Sequence, residues 1–239
     1  MELLQAWIVS AVINATLIVP AARAPLLTPA GWLHAWILGT VLGATLGWRG
    51  WLAVVLYLLL GSAVTKVGYR RKAELDIAEA RGGRRGPENV WGSAATGTVL
   101  ALLCLLPGAP VAILLQGFSA SFAAKLADTC GSEIGKCWGR TTVSLTRWRL
   151  VPPGTEGAVS LQGTAASLAG AIVFSGICCS LELIPWSELA AISAIAWIAT
   201  LAESLIGAEL QPRLRWLSNE GVNGLMTVIA AVLAMALVR

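Results

Sequence analysis

Ser121, Lys125, Asp128 and Ser132 recur at intervals of four, three and four residues within the stretch Ser119–Lys136. That spacing puts all four on one face of a helix. The stretch begins inside an apolar run, and a polar stripe on a membrane helix must face protein or water, not lipid. Two chemistries suit it. Lys125 and Asp128 can form an ion pair while the lysine stem snorkels toward the interface. Equally, Asp128 can hold Mg²⁺ beside an ammonium that binds phosphate. Glu133 is a second carboxylate, but five residues beyond Asp128 it sits off that face. Gly131–Lys136 resembles a phosphate-binding P-loop only superficially. One residue too few separates the glycines, no Ser or Thr follows Lys136, and no strand–loop–helix pattern surrounds it.

Four further segments carry polar groups in suggestive places. In Arg147–Thr164, two prolines and the turn Gly154-Thr155-Glu156-Gly157 lead into an apolar run. Thr155 is expected to cap the helix that follows. A glycine-bearing helix start is also an anion site, to which Arg147 and Arg149 could add phosphate contacts. Ser160, Gly163, Thr164 and Ser167 make a small-residue face suited to close helix packing. Glu203 ends a long apolar run, so its charge needs a metal or a basic partner; Glu209 lies further out. Asn219 and Asn223 open the last apolar run, as ordinary helix-entry residues or as donors of a ligand carbonyl. The basic stretch from Lys66 to Asn89 serves as a topology signal and attracts anionic lipid. Within it, Arg81-Gly-Gly-Arg84-Arg85-Gly86 is more specific: glycines let backbone approach an anion that arginines clamp. No nucleic-acid-binding module accompanies the charge, so nucleic acid is not an expected partner.

The elements that must position these residues are membrane spans. Of 239 residues, 56% are hydrophobic and 13% charged, about half the charged fraction of an ordinary soluble domain. The mean hydropathy is +0.74. This excludes a disordered chain and disfavours a soluble enzyme. Eleven tryptophans suit interfacial anchoring. The single histidine, and five cysteines without a CxxC pair, argue against a multi-histidine or zinc site and against a disulfide framework. The hydropathy predicts one all-α polytopic bundle, residues 1–239, with about eight spans near 4–22, 29–47, 49–66, 90–106, 109–127, 157–180, 184–206 and 221–238. The first apolar run has no basic leader and reads as a span, not a cleaved signal. In this arrangement 15 of 17 basic residues fall on one side, leaving only Arg49 and Arg239 opposite. That side is expected to be cytoplasmic, both termini non-cytoplasmic, and the long loops 67–89, 128–156 and 207–220 cytoplasmic. A site built from long loops would open to the cytoplasm.

Taken together, these segments resemble the transmembrane-protein-19-like family of integral membrane proteins, which includes plant and cyanobacterial phytyl-phosphate kinases. The resemblance rests on Lys66–Tyr69, Gly82–Ser93, Ala127–Gly135, Pro153–Ser160, Glu203–Gln211 and Asn219–Asn223, spread over nearly the whole chain. It looks closest to the cyanobacterial and plastid branch. A more distant similarity links Asp128-Thr129-x-x-Ser132-x-x-Gly135, Gly154-Thr155-Glu156-Gly157, Glu203 and Asn223 to CTP-dependent dolichol and phytol kinases. This chain departs from them by having Gly154 in place of a lysine and Glu203-Ser204 in place of a Glu-Asp pair.

The resemblance implies transfer of a nucleoside triphosphate γ-phosphoryl, with CTP indicated by analogy, to phytyl phosphate. The product, phytyl diphosphate, would feed tocopherol- or phylloquinone-type lipid synthesis. It implies Asp128 as the principal Mg²⁺ ligand, assisted by Glu203 and Glu133. Lys136, Arg84 and Arg85 become phosphate clamps, with Lys66 and Ser132 among the substrate-binding residues. Gly154, Thr155 and Gly157 would cradle phosphate, and Glu156 would place metal or nucleotide. Asn89, Asn219 and Asn223 are further polar ligands. The acceptor is already an anion, so no strong base is needed; the difficulty is repulsion between two polyanions. The membrane would be thylakoid or plasma membrane in a cyanobacterial cell. The competing expectation is a transporter of anionic or lipid-linked substrates, disfavoured by the lack of an internal repeat. A non-catalytic lipid-binding scaffold is the third.

Overall fold

The computed structural model describes residues 2–155, 157–214 and 216–238. Long helices α1 (Glu2–Ala21), α2 (Pro29–Thr45) and α3 (Gly47–Lys66) are followed by a short α4 (Tyr69–Glu74). Then come α5 (Pro87–Leu103), α6 (Val111–Trp138), α7 (Leu161–Ser180), α8 (Leu189–Glu209) and α9 (Asn219–Leu237). Short strands β1 (Thr142–Ser144) and β2 (Ala158–Ser160) pair antiparallel between α6 and α7. The fold is an all-α membrane helical bundle, and its long helices fall on the expected spans. Among the described residues six helices are long and apolar enough to cross a membrane. α2 and α5, at 17 residues each, reach only the lower limit of about 17 for a span.

The helix starts follow local chemistry. Thr28 accepts from Gly31 N–H with Pro29 at the first helical position, and Ser218 accepts from Gly221 N–H at the start of α9. α7 corrects an expectation. Ser160, not Thr155, is its cap, accepting from Gly163 N–H at 3.1 Å. Residues 158–160 are still extended because they pair with β1, so the helix cannot begin before them. Thr155 instead donates to Pro152 O at 2.7 Å.

α6 is the central post, packed on by α3, α4, α5, α7, α8 and α9. Phe118 and Phe122 on it join Tyr57 of α3 and Phe174 of α7 in one buried aromatic cluster. At 28 residues it is about 42 Å long, longer than the roughly 30 Å hydrocarbon core. This corrects the loop expected from residue 128: helix continues to Trp138, so Asp128, Ser132, Glu133 and Lys136 ride on a rigid helical end. What lets it continue through two glycines is packing. A Cβ on Gly163 of α7 would lie 2.8 Å from Gly131 O and 3.3 Å from Gly135 Cα, so small residues on both helices permit the close α6–α7 crossing. The loop expected at 67–89 likewise contains α4 and a 3-10 turn (Ala80–Gly83) and ends where Pro87 opens α5.

At the other flank, α1 is held by two indoles. Trp36 donates to Ala11 O at 2.9 Å and Trp51 to Asn14 Oδ1 at 2.8 Å. Most of its remaining surface is apolar and exposed, as for a helix facing lipid.

Candidate functional site

A cavity of about 290 Å³ opens at the end of the bundle where α5, α7 and α9 begin and α6 and α8 finish. It collects residues from six helices (α3 and α5 to α9), both short strands and two loops. Asp128, Ser132, Glu133, Lys136, Arg84, Arg85, Asn89, Gly154, Thr155, Gly157, Glu203, Asn219 and Asn223 all line it. Two expected members are not among them. Lys66 turns aside to donate to Gly82 O at 2.6 Å, with its ammonium 5.3 Å from the Tyr69 ring; it braces the basic loop from outside. Glu156 lies outside the described residues.

The geometry is a set of matched charges. On α6, Lys125 Nζ sits 2.6 Å from Asp128 Oδ2, with both side chains largely buried. One turn further on, Glu133 is fully buried and ion-paired with the equally buried Lys72 of α4. Lys72 also donates to Thr65 O at 3.0 Å. Lys136 lies 3.4 Å from Glu133 and 3.1 Å from Glu79. A chain of alternating charge, Lys72–Glu133–Lys136–Glu79, thus ties the 67–86 loop to α6. Arg81 pairs with Glu88 and reaches Asn89 Oδ1 at 3.0 Å. Arg85 is fixed by its backbone between Leu26 and Thr28, and its guanidinium donates to Tyr57 Oη at 2.8 Å. Arg84 lines the cavity and makes no ion pair among the described residues.

Asn89 and Asn223 line the cavity and also bond to the protein around it. Asn89 Oδ1 accepts from Gly86 N–H at 2.8 Å, closing the start of α5, while its amide donates to Glu220. Asn223 donates to the other oxygen of Glu220 at 3.3 Å. Glu220 is therefore oriented on the cavity wall by two amides. Packing on α8 fixes Gly157: it has φ +66°, and a Cβ there would meet Ala208 Cβ and Ser204 O at 2.4 Å. Only glycine lets the chain lie against α8 here.

Lys125, Glu79, Arg81 and Glu220 complete the charged part of the described lining. Lys125 was visible as part of the helical stripe. Glu220 could have been found from its position one turn before Asn223. Arg81 opened the glycine–arginine motif already picked out in the basic stretch, whereas Glu79 sits in a charged loop without periodicity, and only the folded loop brings it here.

Burial pushes the Glu79 carboxyl up, but the Lys136 ammonium, by charge and hydrogen bond, outweighs this and holds it below its ordinary value. A depressed folded-state value means that the contact stabilises loop docking above the unfolded value of about 4.3. That contribution is lost as pH falls through the folded value. Hydrogen-exchange protection of residues 75–86, corrected for intrinsic rates, should fall on acidification through that range. Glu79→Gln should remove this pH dependence; an unchanged profile would show that Glu79 does not hold the loop.

A metal site must be judged by the donors. Among the described residues no group of three or more His, Cys, Asp or Glu side chains is placed to hold an ion. The expected trio of Asp128, Glu133 and Glu203 therefore does not form a ready-made cage, and Glu133 is already committed to two ammonium groups. Mg²⁺ does not need a cage; it commonly binds one or two carboxylates plus waters and substrate phosphates. Asp128, at the cavity wall, fits that mode.

Comparison with known proteins gives the family. The model described as integral membrane protein DUF92 matches residues 12–231. The chain belongs to this family. A relative in it is the uncharacterized membrane protein sll0875 of Synechocystis sp., 44% identical over 97% of this chain and 91% of that protein. Protein VTE6, chloroplastic, of Arabidopsis thaliana is 40% identical over 87% of this chain, and the match spans 64% of its length. The uncharacterized membrane protein MJ0933 of Methanocaldococcus jannaschii is 28% identical over 98% of this chain and 95% of its own length. No solved structure matches. The motif resemblance is thus membership of the DUF92 family, and the chain is an integral membrane protein.

Proposed function

We propose that this protein is a prenyl-phosphate kinase that transfers the γ-phosphoryl of a nucleoside triphosphate, CTP by resemblance, to phytyl phosphate. The observation that carries the reading is the convergence of sequence-distant polar segments into one cavity at a single end of an apolar bundle. Similarity to the chloroplastic protein VTE6 and the resemblance to phytyl-phosphate kinases support it. Such a cavity suits a lipid whose phosphate lies at the interface while its chain stays among the spans. We take the cytoplasm as the side on which it opens, from the basic loops.

In the reaction, an oxygen of the acceptor phosphate attacks the γ-phosphorus. The bond from that phosphorus to the β–γ bridging oxygen breaks, and the nucleoside diphosphate leaves. No proton need be taken from an alcohol. The task is to hold two polyanions in line. The described lining carries five basic side chains (Lys125, Lys136, Arg81, Arg84, Arg85) and five acidic ones (Glu79, Asp128, Glu133, Glu203, Glu220). A lining so balanced does not by itself neutralise two polyanions, so a divalent cation entering with the nucleotide fits it. Asp128 would hold Mg²⁺, which supplies charge neutralisation at the transferring phosphoryl. Arg84 is the guanidinium ready to clamp phosphate, and Lys136 can exchange Glu79 for a phosphate oxygen. Gly154, Thr155 and Gly157 lie on the same wall.

A transporter would need the polar lining to continue across the bundle. Along α6 it runs from Lys136 to Lys125, about 17 Å, and so covers about half the hydrocarbon thickness. The test is incubation of purified protein with Mg²⁺, phytyl phosphate and each nucleoside triphosphate in turn, with prenyl diphosphate read by mass spectrometry. Product with a preferred donor is the expected result; folded protein that forms none with any donor overturns the reading.

A further inference from the structure

We propose that a second cavity, between the β1–β2 hairpin and the end of α8, binds the headgroup of an anionic phospholipid from the surrounding membrane. The cavity is about 370 Å³ and is lined by Ser144, Thr146, Arg147, Arg149, Thr155 and Gln211, with Gly207, Ala208 and Pro212 at its back. No carboxylate lines it among the described residues. Both arginines are exposed and neither forms an ion pair among the described residues. Among the described residues they are cations without a charge partner, which is what an anion site requires.

Its position selects a lipid. Gly207 and Ala208 belong to the last turn of a helix long and apolar enough to span, so the cavity lies where the chain leaves the membrane. The hairpin tip carries Trp148, 81% exposed, and Leu150, 72% exposed, alternating with the two arginines. An exposed Trp and Leu alternating with two arginines suit the headgroup level, with the apolar side chains in the acyl boundary and the guanidiniums on phosphate. The backbone fixes this array. Ser144 N–H donates to Arg149 O and Val151 N–H to Thr142 O, both at 3.0 Å, so the tip folds back as a third extended segment on β1. Among the described residues the buried Gln211 Oε1 has no hydrogen-bond partner; a headgroup hydroxyl, such as that of phosphoglycerol, would donate to it. Thr155 lines both cavities, so this lipid would sit beside the entrance to the candidate active site. The proposal itself does not depend on the kinase reading.

Native mass spectrometry of the full chain in detergent tests it, with dioleoylphosphatidylglycerol, dioleoylphosphatidylcholine and inorganic phosphate as probes. Wild type should retain one more phosphatidylglycerol than Arg147→Gln/Arg149→Gln, whose affinity for it should fall by about 10- to 30-fold. Arg147→Lys/Arg149→Lys should keep most of the binding, phosphatidylcholine should not distinguish the variants, and millimolar phosphate should not displace the lipid. Equal phosphatidylglycerol retention in wild type and the glutamine variant overturns the proposal, as does displacement by phosphate alone. A delipidated glutamine variant that melts below delipidated wild type would assign the arginines to the fold and overturn it too, because loss of a bound lipid by itself lowers the melting temperature.

Discussion

Asp128→Asn should lower phosphoryl transfer by at least about 100- to 1,000-fold, the size expected when a charge that organises the transition state is removed. The structure adds a complication that can be used. Asp128 is also the partner of Lys125, which is 7% exposed. The asparagine variant leaves that ammonium without its counter-charge, so it should be less stable as well as less active. Adding Lys125→Met removes the stranded cation. The double variant should regain melting temperature without regaining turnover. Turnover that returned together with stability would mean that Asp128 acts only as a structural partner. Turnover per folded molecule, measured by prenyl diphosphate formation, separates the two.

Lys72→Met should cost the most stability. The substitution leaves Glu133, 1% exposed, facing Lys136 alone at 3.4 Å. Stranding one member of a buried pair typically costs about 3–5 kcal/mol, and the remaining lysine places this case near the lower end. Replacing both members, Lys72→Met with Glu133→Leu, removes the uncompensated charge and should recover most of the loss, because apolar replacement of a buried pair is often neutral. Denaturant or thermal unfolding in detergent reads both. The single variant should also lose activity, since α4 would lose its ion pair with α6 and the loop carrying Arg81, Arg84 and Arg85 would be tied to α6 by the Lys136–Glu79 contact alone. If Lys72→Met unfolds like wild type, the pair is not what holds the loop.

Much of the architecture was legible because hydropathy and small-residue spacing act locally. The apolar runs fell on helices, and the Ser160–Ser167 face packs closely against α6 through Gly163, as its small residues suggested. Local signals also misled. The charges from Asp128 onward suggested a loop, yet α6 runs to Trp138 because its polar end is bonded to α4 and packed on α7. Thr155 looked like a cap, but strand pairing of residues 158–160 moved the helix start to Ser160. Nothing local to Lys66 says that it will brace Gly82 from outside the cavity.

By itself the sequence determined a polytopic helical membrane protein with basic loops on one side, and a stripe on α6 that places Lys125 and Asp128 together. These follow from hydrophobic length, helical period and charge counts, each a property of neighbouring residues. Which charges meet across the chain was decided only by the tertiary structure. Lys72 reaches Glu133 across 61 positions and Asn89 reaches Glu220 across 131. Such pairings depend on helix crossings and loop docking, and their energies count only once the partners are buried together.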